Sequence, residues 1–86
     1  MYQVRILEEA ARDLAKVDTA VARRIVSRIR WLAENLDSIQ PEALTGNLAG
    51  FYKLRAGDYR VVYEIVHAEQ MIVIHLVGHR REICRR

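Results

Sequence analysis

The second half of the chain carries the basic side chains best suited to chemistry, which are Lys53, Arg55, Arg60, Arg80 and Arg81. Arginine presents a planar, permanently charged fork that pairs with phosphate at two points. Metal-free RNA cleavage requires an aligned ribose 2′-hydroxyl, a base to accept its proton, and cations to stabilise charge developing on the phosphate. Arginines on rigid strands would meet the third requirement. Alternatively, they face water or pair with Glu64 and Asp58.

The positive charge is concentrated in the same part of the sequence. Residues 1–50 contain equal numbers of basic and acidic side chains, so the net charge of +3 arises entirely within residues 51–86. This asymmetry favours a polyanion or an acidic protein as partner. A solvated basic surface without a partner is the alternative.

Several classes of site are missing from the sequence. It contains no glycine-rich phosphate loop, no Gly-x-Ser-x-Gly motif and no cysteine pair. His67, His75, His79 and Cys84 lack a recognised ligand spacing, so no metal site is predicted. His75 is expected to be a partly buried sheet histidine, whereas His79 could act as an acid or base or contact phosphate.

The length of 86 residues predicts one domain covering residues 1–86. Cys84 is the only cysteine, so no disulfide can form within the chain, which indicates a reducing compartment. The sequence shows neither a signal peptide nor an apolar run long enough to span a membrane. We therefore expect a cytoplasmic protein that does not engage a membrane.

The first half of the sequence predicts one strand and two helices. Alternation over residues 2–7 indicates a strand, and helical spacing begins at Glu8. Asp18 or Thr19 can cap a second helix. Its apolar stripe must cover a sheet, and it consists of Val21, Ile25, Ile29, Leu32 and Leu36.

The second half predicts three strands, at Phe51 to Arg55, Tyr59 to His67 and Met71 to Gly78. Short connections make them an antiparallel meander. The fold class is thus α+β, in the order β-α-α-β-β-β, with an antiparallel sheet and a helical hairpin packed on one face. Alternation places Arg60 on the face opposite Tyr59 and Val61, and that face is expected to remain open.

Two segments resemble RelE-type toxins of type II toxin–antitoxin systems. They are LTGNLAGFYKLRAGDYRVVYEI, at residues 44–65, and VGHRREI, at residues 77–83. The strand and helical hairpin also fit, so the resemblance extends over essentially the whole chain. ParE-type gyrase poisons share the fold and the Gly-x-Tyr-Arg-x-x-Tyr strand, while the Gly-His-Arg-Arg segment favours the RelE-type branch.

The resemblance implies the RelE-like microbial RNase fold and a ribosome-dependent endoribonuclease. Such an enzyme cuts mRNA in the A site without a cofactor and leaves a 2′,3′-cyclic phosphate and a 5′-hydroxyl. By this resemblance Lys53 and Arg55 form a basic pair, Arg60 stabilises the phosphate and Arg80 assists the leaving group. Arg81 is a further candidate for binding the RNA backbone. The implied partners are an acidic cognate antitoxin, the ribosome with its mRNA, and operator DNA bound through the antitoxin.

Cys84 departs from the family pattern Gly-His-Arg-Arg-Glu-x-Tyr, which closes with tyrosine. Cysteine cannot stack on a nucleobase, although neighbouring arginines could favour a thiolate that accepts the 2′-hydroxyl proton. Three functions therefore stay open: a nuclease weakened at Cys84, a gyrase inhibitor, and an impaired toxin that acts mainly in antitoxin and operator binding.

Overall fold

The computed structural model describes residues 1–79, which form two α-helices and a five-stranded sheet. The elements in chain order are β1 (Gln3–Ile6), α1 (Glu8–Lys16), α2 (Thr19–Asn35), β2 (Glu42–Ala43), β3 (Tyr52–Ala56), β4 (Tyr59–Val66) and β5 (Met71–His79). Neither helix in this part of the chain is long and apolar enough to cross a membrane.

The sheet has the strand order β1-β5-β4-β3-β2. β3, β4 and β5 form the predicted antiparallel meander, and the α+β fold is confirmed. β1 pairs with β5 in parallel, so the complete sheet is mixed. The two helices supply the long connection that a parallel pairing requires.

Helix α2 buries the apolar stripe that its spacing predicts. Ile25, Ile29 and Leu32 are at most 3% exposed and pack against the sheet. Each such side chain contributes roughly 1.5–3 kcal/mol on burial. The carboxylate of Asp18 caps the helix by accepting a hydrogen bond from the backbone N–H of Ala20, at 3.2 Å.

Helix α1 completes the outer edge of β5. β1 ends at Ile6, opposite Ile74, so the rest of β5 has no strand on that side. Asp13 of α1 instead accepts a hydrogen bond from the backbone N–H of Val77, at 3.0 Å. The donor is thereby satisfied, and α1 is held against the sheet.

A β-bulge interrupts the pairing of β4 with β5. Val62 pairs with Leu76 and Tyr63 pairs with Ile74, which leaves His75 as an extra residue on β5. In a regular strand, His75 and Val77 would lie on the same face of the sheet. Here Val77 lies in the core, whereas His75 forms a hydrogen bond with Glu64 on the opposite face. The bulge thus turns two consecutive residues, His75 and Leu76, toward the face opposite the helices.

Candidate functional site

The sheet face opposite the helices, called the open face here, carries the predicted basic residues of β3 and β4. Arg55 is the cross-strand partner of Arg60, and Lys53 is the partner of Val62. On β5, the neighbour of Arg60 is Gly78. The open face therefore begins with an arginine pair near the β3–β4 turn, and the next row along the strands consists of Lys53, Val62 and Leu76.

The arginine pair provides a strong electrostatic feature of this face. Like charges directly opposite each other on neighbouring strands destabilise a sheet. The Nε atom of Arg60 is buried and has no hydrogen-bond partner within residues 1–79. An unsatisfied charged donor costs on the order of 1–3 kcal/mol, and an anion bound beside the two guanidinium groups would reduce their repulsion.

Two arginines of α2 extend this positive region, and the sequence analysis did not place them there. Nε of Arg28 donates a hydrogen bond to the carbonyl oxygen of Arg55, at 3.3 Å. Arg24 reaches the β3–β4 turn, where its Nη1 lies 3.6 Å from the position that a β-carbon on Gly57 would occupy. Arg24 and Arg28 are four residues apart and so share one helix face. This spacing is the sequence feature that could have indicated a shared basic surface.

Lys53 lies one row from the arginine pair and already has a partner. Its Nζ is 3.8 Å from a carboxylate oxygen of Glu42, its cross-strand neighbour on β2. Because strand β2 was not predicted, neither was this ion pair. The positive charge of Lys53 is therefore partly compensated, in contrast to the guanidinium of Arg60.

The predicted residues at the end of β5 are not all brought to the arginine pair. His79 is the partner of Tyr59, and the two rings meet edge to face with centroids 5.6 Å apart. Tyr59 packs against the core, so the register places His79 on the helix side rather than beside Arg60. Arg80, Arg81 and Cys84 lie outside the described residues, and their roles stay predictions.

The other two histidines have specific partners. Nδ1 of His67 lies 3.3 Å from the hydroxyl of Tyr2. Nε2 of His75 lies 2.9 Å from a carboxylate oxygen of Glu64, and His75 is half-buried, as its strand position predicts. In the stretch from Met1 to His79, no group of three or more histidine, cysteine or acidic residues is placed to hold a metal ion.

A cleft of about 240 Å³ opens on the open face beside the bulge. Its floor is Val62, which is 1% exposed although it lies opposite the main core. Phe51 and His75 stand at its sides, with ring centroids 4.8 Å apart and planes at 78°. The open face is therefore not flat, because the chain before β3 adds a small second apolar layer through Leu48 and Phe51.

Tyr63 lies beneath the open face, in the core. Burial, followed by the nearby Tyr52 hydroxyl and Glu42, raises the pKa of Tyr63 to about 12. Its side chain is fully covered and its ring stacks on that of Tyr52, with centroids 5.7 Å apart. Tyr63 therefore stays protonated near neutral pH and cannot serve there as a base.

A second concave surface, called the β1–α2 groove here, lies on the helix side. It has a volume of about 680 Å³. Val4, Ile6 and Val26 line it and are 38–40% exposed, and Arg30 contributes a positive charge. Exposed apolar side chains gathered in one groove indicate a surface for binding another protein.

Comparisons with known proteins agree with the geometry. Residues 4–84 match the family model described as the ParE toxin of type II toxin–antitoxin system, parDE. Toxin RelG of Mycobacterium tuberculosis is 35% identical over 89 residues, which cover 99% of this chain and 98% of RelG. A chain in the crystal structure of the toxin–antitoxin complex RelBE2 from M. tuberculosis has a TM-score of 0.82 and 31% identity, over 92% of this chain and 98% of that chain. The isolated RelE toxin of Escherichia coli has a TM-score of 0.74 at 21% identity, over 99% and 98% of the two chains, and supports the fold alone.

Proposed function

Because the chain belongs to the ParE toxin family of type II toxin–antitoxin systems, we propose that it is an endoribonuclease that cleaves mRNA in the ribosomal A site. We also propose that the 86 residues form one catalytic domain, which acts in the cytoplasm. The similarity to Toxin RelG and to the RelBE2 chain, together with the Gly-His-Arg-Arg segment at residues 78–81, supports this activity over the others in the superfamily.

The observation that carries the proposal is the unpartnered, buried Nε of Arg60 next to a second arginine. A guanidinium held on a strand by its neighbours loses little entropy when it binds an anion. Stabilisation of developing charge by such a preorganised donor is commonly the largest single contribution to catalysis. We therefore place the scissile phosphate beside Arg60 and Arg55.

The reaction would proceed by attack of the ribose 2′-oxygen on the adjacent phosphorus. The new P–O2′ bond forms as the P–O5′ bond breaks, which gives a 2′,3′-cyclic phosphate and a 5′-hydroxyl. Arg60 would stabilise the negative charge on the non-bridging oxygens, with Arg55 and Lys53 beside it. The 2′-hydroxyl proton goes to a base, for which Cys84 as thiolate is this chain's candidate. The departing 5′-oxygen takes a proton from water, while Arg80 would stabilise its negative charge.

Toeprinting on programmed ribosomes tests the nuclease proposal. Arg60→Ala should lower the rate of A-site cleavage by at least 100-fold, the scale seen when one transition-state donor is lost. Arg60→Lys should recover only part of that rate, because lysine keeps the charge but not the fork. The control is Arg23→Ala, which removes an exposed arginine of α2. Unchanged cleavage in Arg60→Ala would refute the assignment.

Poisoning of DNA gyrase is the second candidate, and the ParE description of the matching family favours it. Purified gyrase incubated with the protein and plasmid would then accumulate cleaved DNA, while mRNA on ribosomes stayed intact. A third candidate is a toxin impaired at Cys84, which would bind antitoxin and operator DNA without either activity. The two assays run together separate all three.

We further propose that an acidic antitoxin neutralises the chain and that the β1–α2 groove receives its apolar segment. The relative in the RelBE2 structure is part of a toxin–antitoxin complex, which supports a partner of this kind. Val4, Ile6 and Val26 supply apolar contact area, and Arg30 supplies a charge that complements acidic residues. Operator DNA would then be bound through the antitoxin.

A further inference from the structure

The cleft beside the bulge lies at a fixed distance from the arginine pair. Val62 follows Arg60 by two residues on the same strand and face, so the floor of the cleft lies about 6.6 Å from Arg60 along β4. Across the sheet, Leu76 and Gly78 repeat the same offset on β5. The cleft and the arginine pair are therefore close enough to contact the same nucleotide.

The dimensions and lining of the cleft suit a flat aromatic ligand. Its volume of about 240 Å³ is below the ~300–1,000 Å³ of sites for drug-sized molecules. Val62, Leu76 and Leu48 make it apolar, and Phe51 and His75 bring two rings to its sides. Phe51 is half-buried rather than sealed in the core.

Glu64 fixes the orientation of the imidazole at this cleft. Nε2 of His75 lies 2.9 Å from a carboxylate oxygen of Glu64, and this contact holds the imidazole in one orientation. The bulge is needed for this arrangement, because it turns His75 and Leu76 to the same face. The cleft thus combines an apolar floor and an aromatic wall with two polar groups, the oriented imidazole of His75 and the carboxylate of Glu9.

We propose that this cleft binds one unstacked nucleobase of the RNA whose phosphate lies on Arg60. The inference rests on the proposed function, to which it adds a base-binding subsite. Single-stranded RNA is recognised by stacking its bases on aromatic side chains, at roughly 1–3 kcal/mol for each base. Phe51 is the stacking residue, and His75 is the polar contact.

Nucleotide titrations followed by amide NMR test the subsite in the full chain. Adenosine, guanosine, cytidine and uridine 5′-monophosphates are compared with ribose 5-phosphate, which carries the phosphate but no base. All five should shift the amide signals of Arg60 and Gly78. Only the four nucleotides should also shift Phe51, Val62, His75 and Leu76, and they should bind more tightly than ribose 5-phosphate.

Substitution of Phe51 separates stacking from phosphate binding. Phe51→Ala should weaken nucleotide binding on the order of tenfold and leave ribose 5-phosphate binding unchanged. Phe51→Leu retains an apolar filler, so it guards against misfolding and should still lose most of the base-dependent affinity. Trp31→Leu, which removes an exposed aromatic ring of α2, is the matched control and should bind as the parent does.

Equal affinity for nucleotides and ribose 5-phosphate, with no shifts at the cleft, would overturn the subsite. Toeprinting of the same variants keeps this result distinct from the nuclease proposal. Cleavage without base-dependent shifts removes the subsite alone. Base-dependent shifts without cleavage support the subsite and count against the nuclease.

Discussion

Arg55 and Arg60 are the residues to which the proposed function assigns phosphate binding on the open face. Their guanidinium groups extend from directly paired positions on β3 and β4, where repulsion makes the anion-free state costly. Arg28 of α2 donates a hydrogen bond to the backbone carbonyl of Arg55, so the guanidinium of Arg55 takes no part in this contact. Both guanidinium charges are thus retained, which suits a site that must stabilise a phosphate.

Tyr63 gives a pH-dependent prediction at the residue scale. Tyrosine in the unfolded chain ionises near pH 10, whereas the pKa of Tyr63 in the folded chain is about 12. Above pH 10 the unfolded state loses this proton first, so the unfolding free energy falls as pH rises and the full loss is reached above pH 12. Urea unfolding at pH 8 and pH 11 should show about 1 kcal/mol more loss for the parent than for Tyr63→Phe. Equal losses would contradict the raised pKa.

Cys84 gives a prediction about catalytic competence. A tyrosine at this position can stack on a base and assist proton transfer, so Cys84→Tyr should raise the A-site cleavage rate if Cys84 weakens the enzyme. Cys84→Ser is the control, because it keeps the size of the side chain but supplies neither ring nor thiolate. If Cys84→Tyr cleaves no faster while Cys84→Ser loses activity, the cysteine itself is the functional base.

At the scale of elements, the N-cap of α2 sets how securely the helix packs on the sheet. Asp18→Ala removes the acceptor for the Ala20 backbone N–H and should lower the unfolding free energy by about 1 kcal/mol. Asp18→Asn keeps an acceptor oxygen and should cost less. Thermal unfolding measures both variants. Equal losses for Asn and Ala would show that the charge, rather than the hydrogen bond, stabilises the helix start.

The elements that could be predicted from sequence are those with a local pattern. The stripe of α2 and the alternation of Tyr59, Val61 and Tyr63 each reflect one buried face. Both helix starts and the bounds of the three meander strands were therefore predicted to within about one residue. The parallel pairing of β1, the two-residue strand β2 and the bulge at His75 depend on partners distant in sequence. No local pattern specifies them.

The same distinction applies to the candidate site. Alternation alone placed Arg60 on the face opposite Val61, and the register agrees. The approach of Arg24 and Arg28 to the β3–β4 turn depends on how α2 lies across the sheet, and the cleft depends on the bulge. The positions of Arg24 and Arg28 and the cleft therefore depend on tertiary packing, which the residue types alone do not specify.

At the scale of the molecule, the open face and the β1–α2 groove lie on opposite sides of the sheet. An antitoxin segment bound in the groove would leave the arginine pair uncovered unless the antitoxin also reached around the sheet. A single partner that silences the toxin by covering its site must therefore contact both sides. This geometry favours an extended antitoxin over a compact one.

The groove assignment predicts a selective loss of antitoxin binding. Val26→Glu places a charge in the groove and should weaken the complex at least tenfold, since a buried unpaired charge is costly at an interface. Ser27→Glu is the matched control, with the same charge on the next, exposed residue of α2. Calorimetric titration with the antitoxin encoded beside the toxin gene measures both. Equal weakening by the two variants would exclude the groove.

Strand β1 is the outermost strand of the sheet, and its second backbone edge faces away from β5. Such an edge can template the addition of a strand from another molecule, which is how soluble sheets begin to aggregate. Arg5 places a positive charge on this strand, which opposes pairing with the same edge of a second molecule. The strand is also only four residues long, which limits such pairing. We therefore expect the solubility of the isolated toxin to depend on this one arginine.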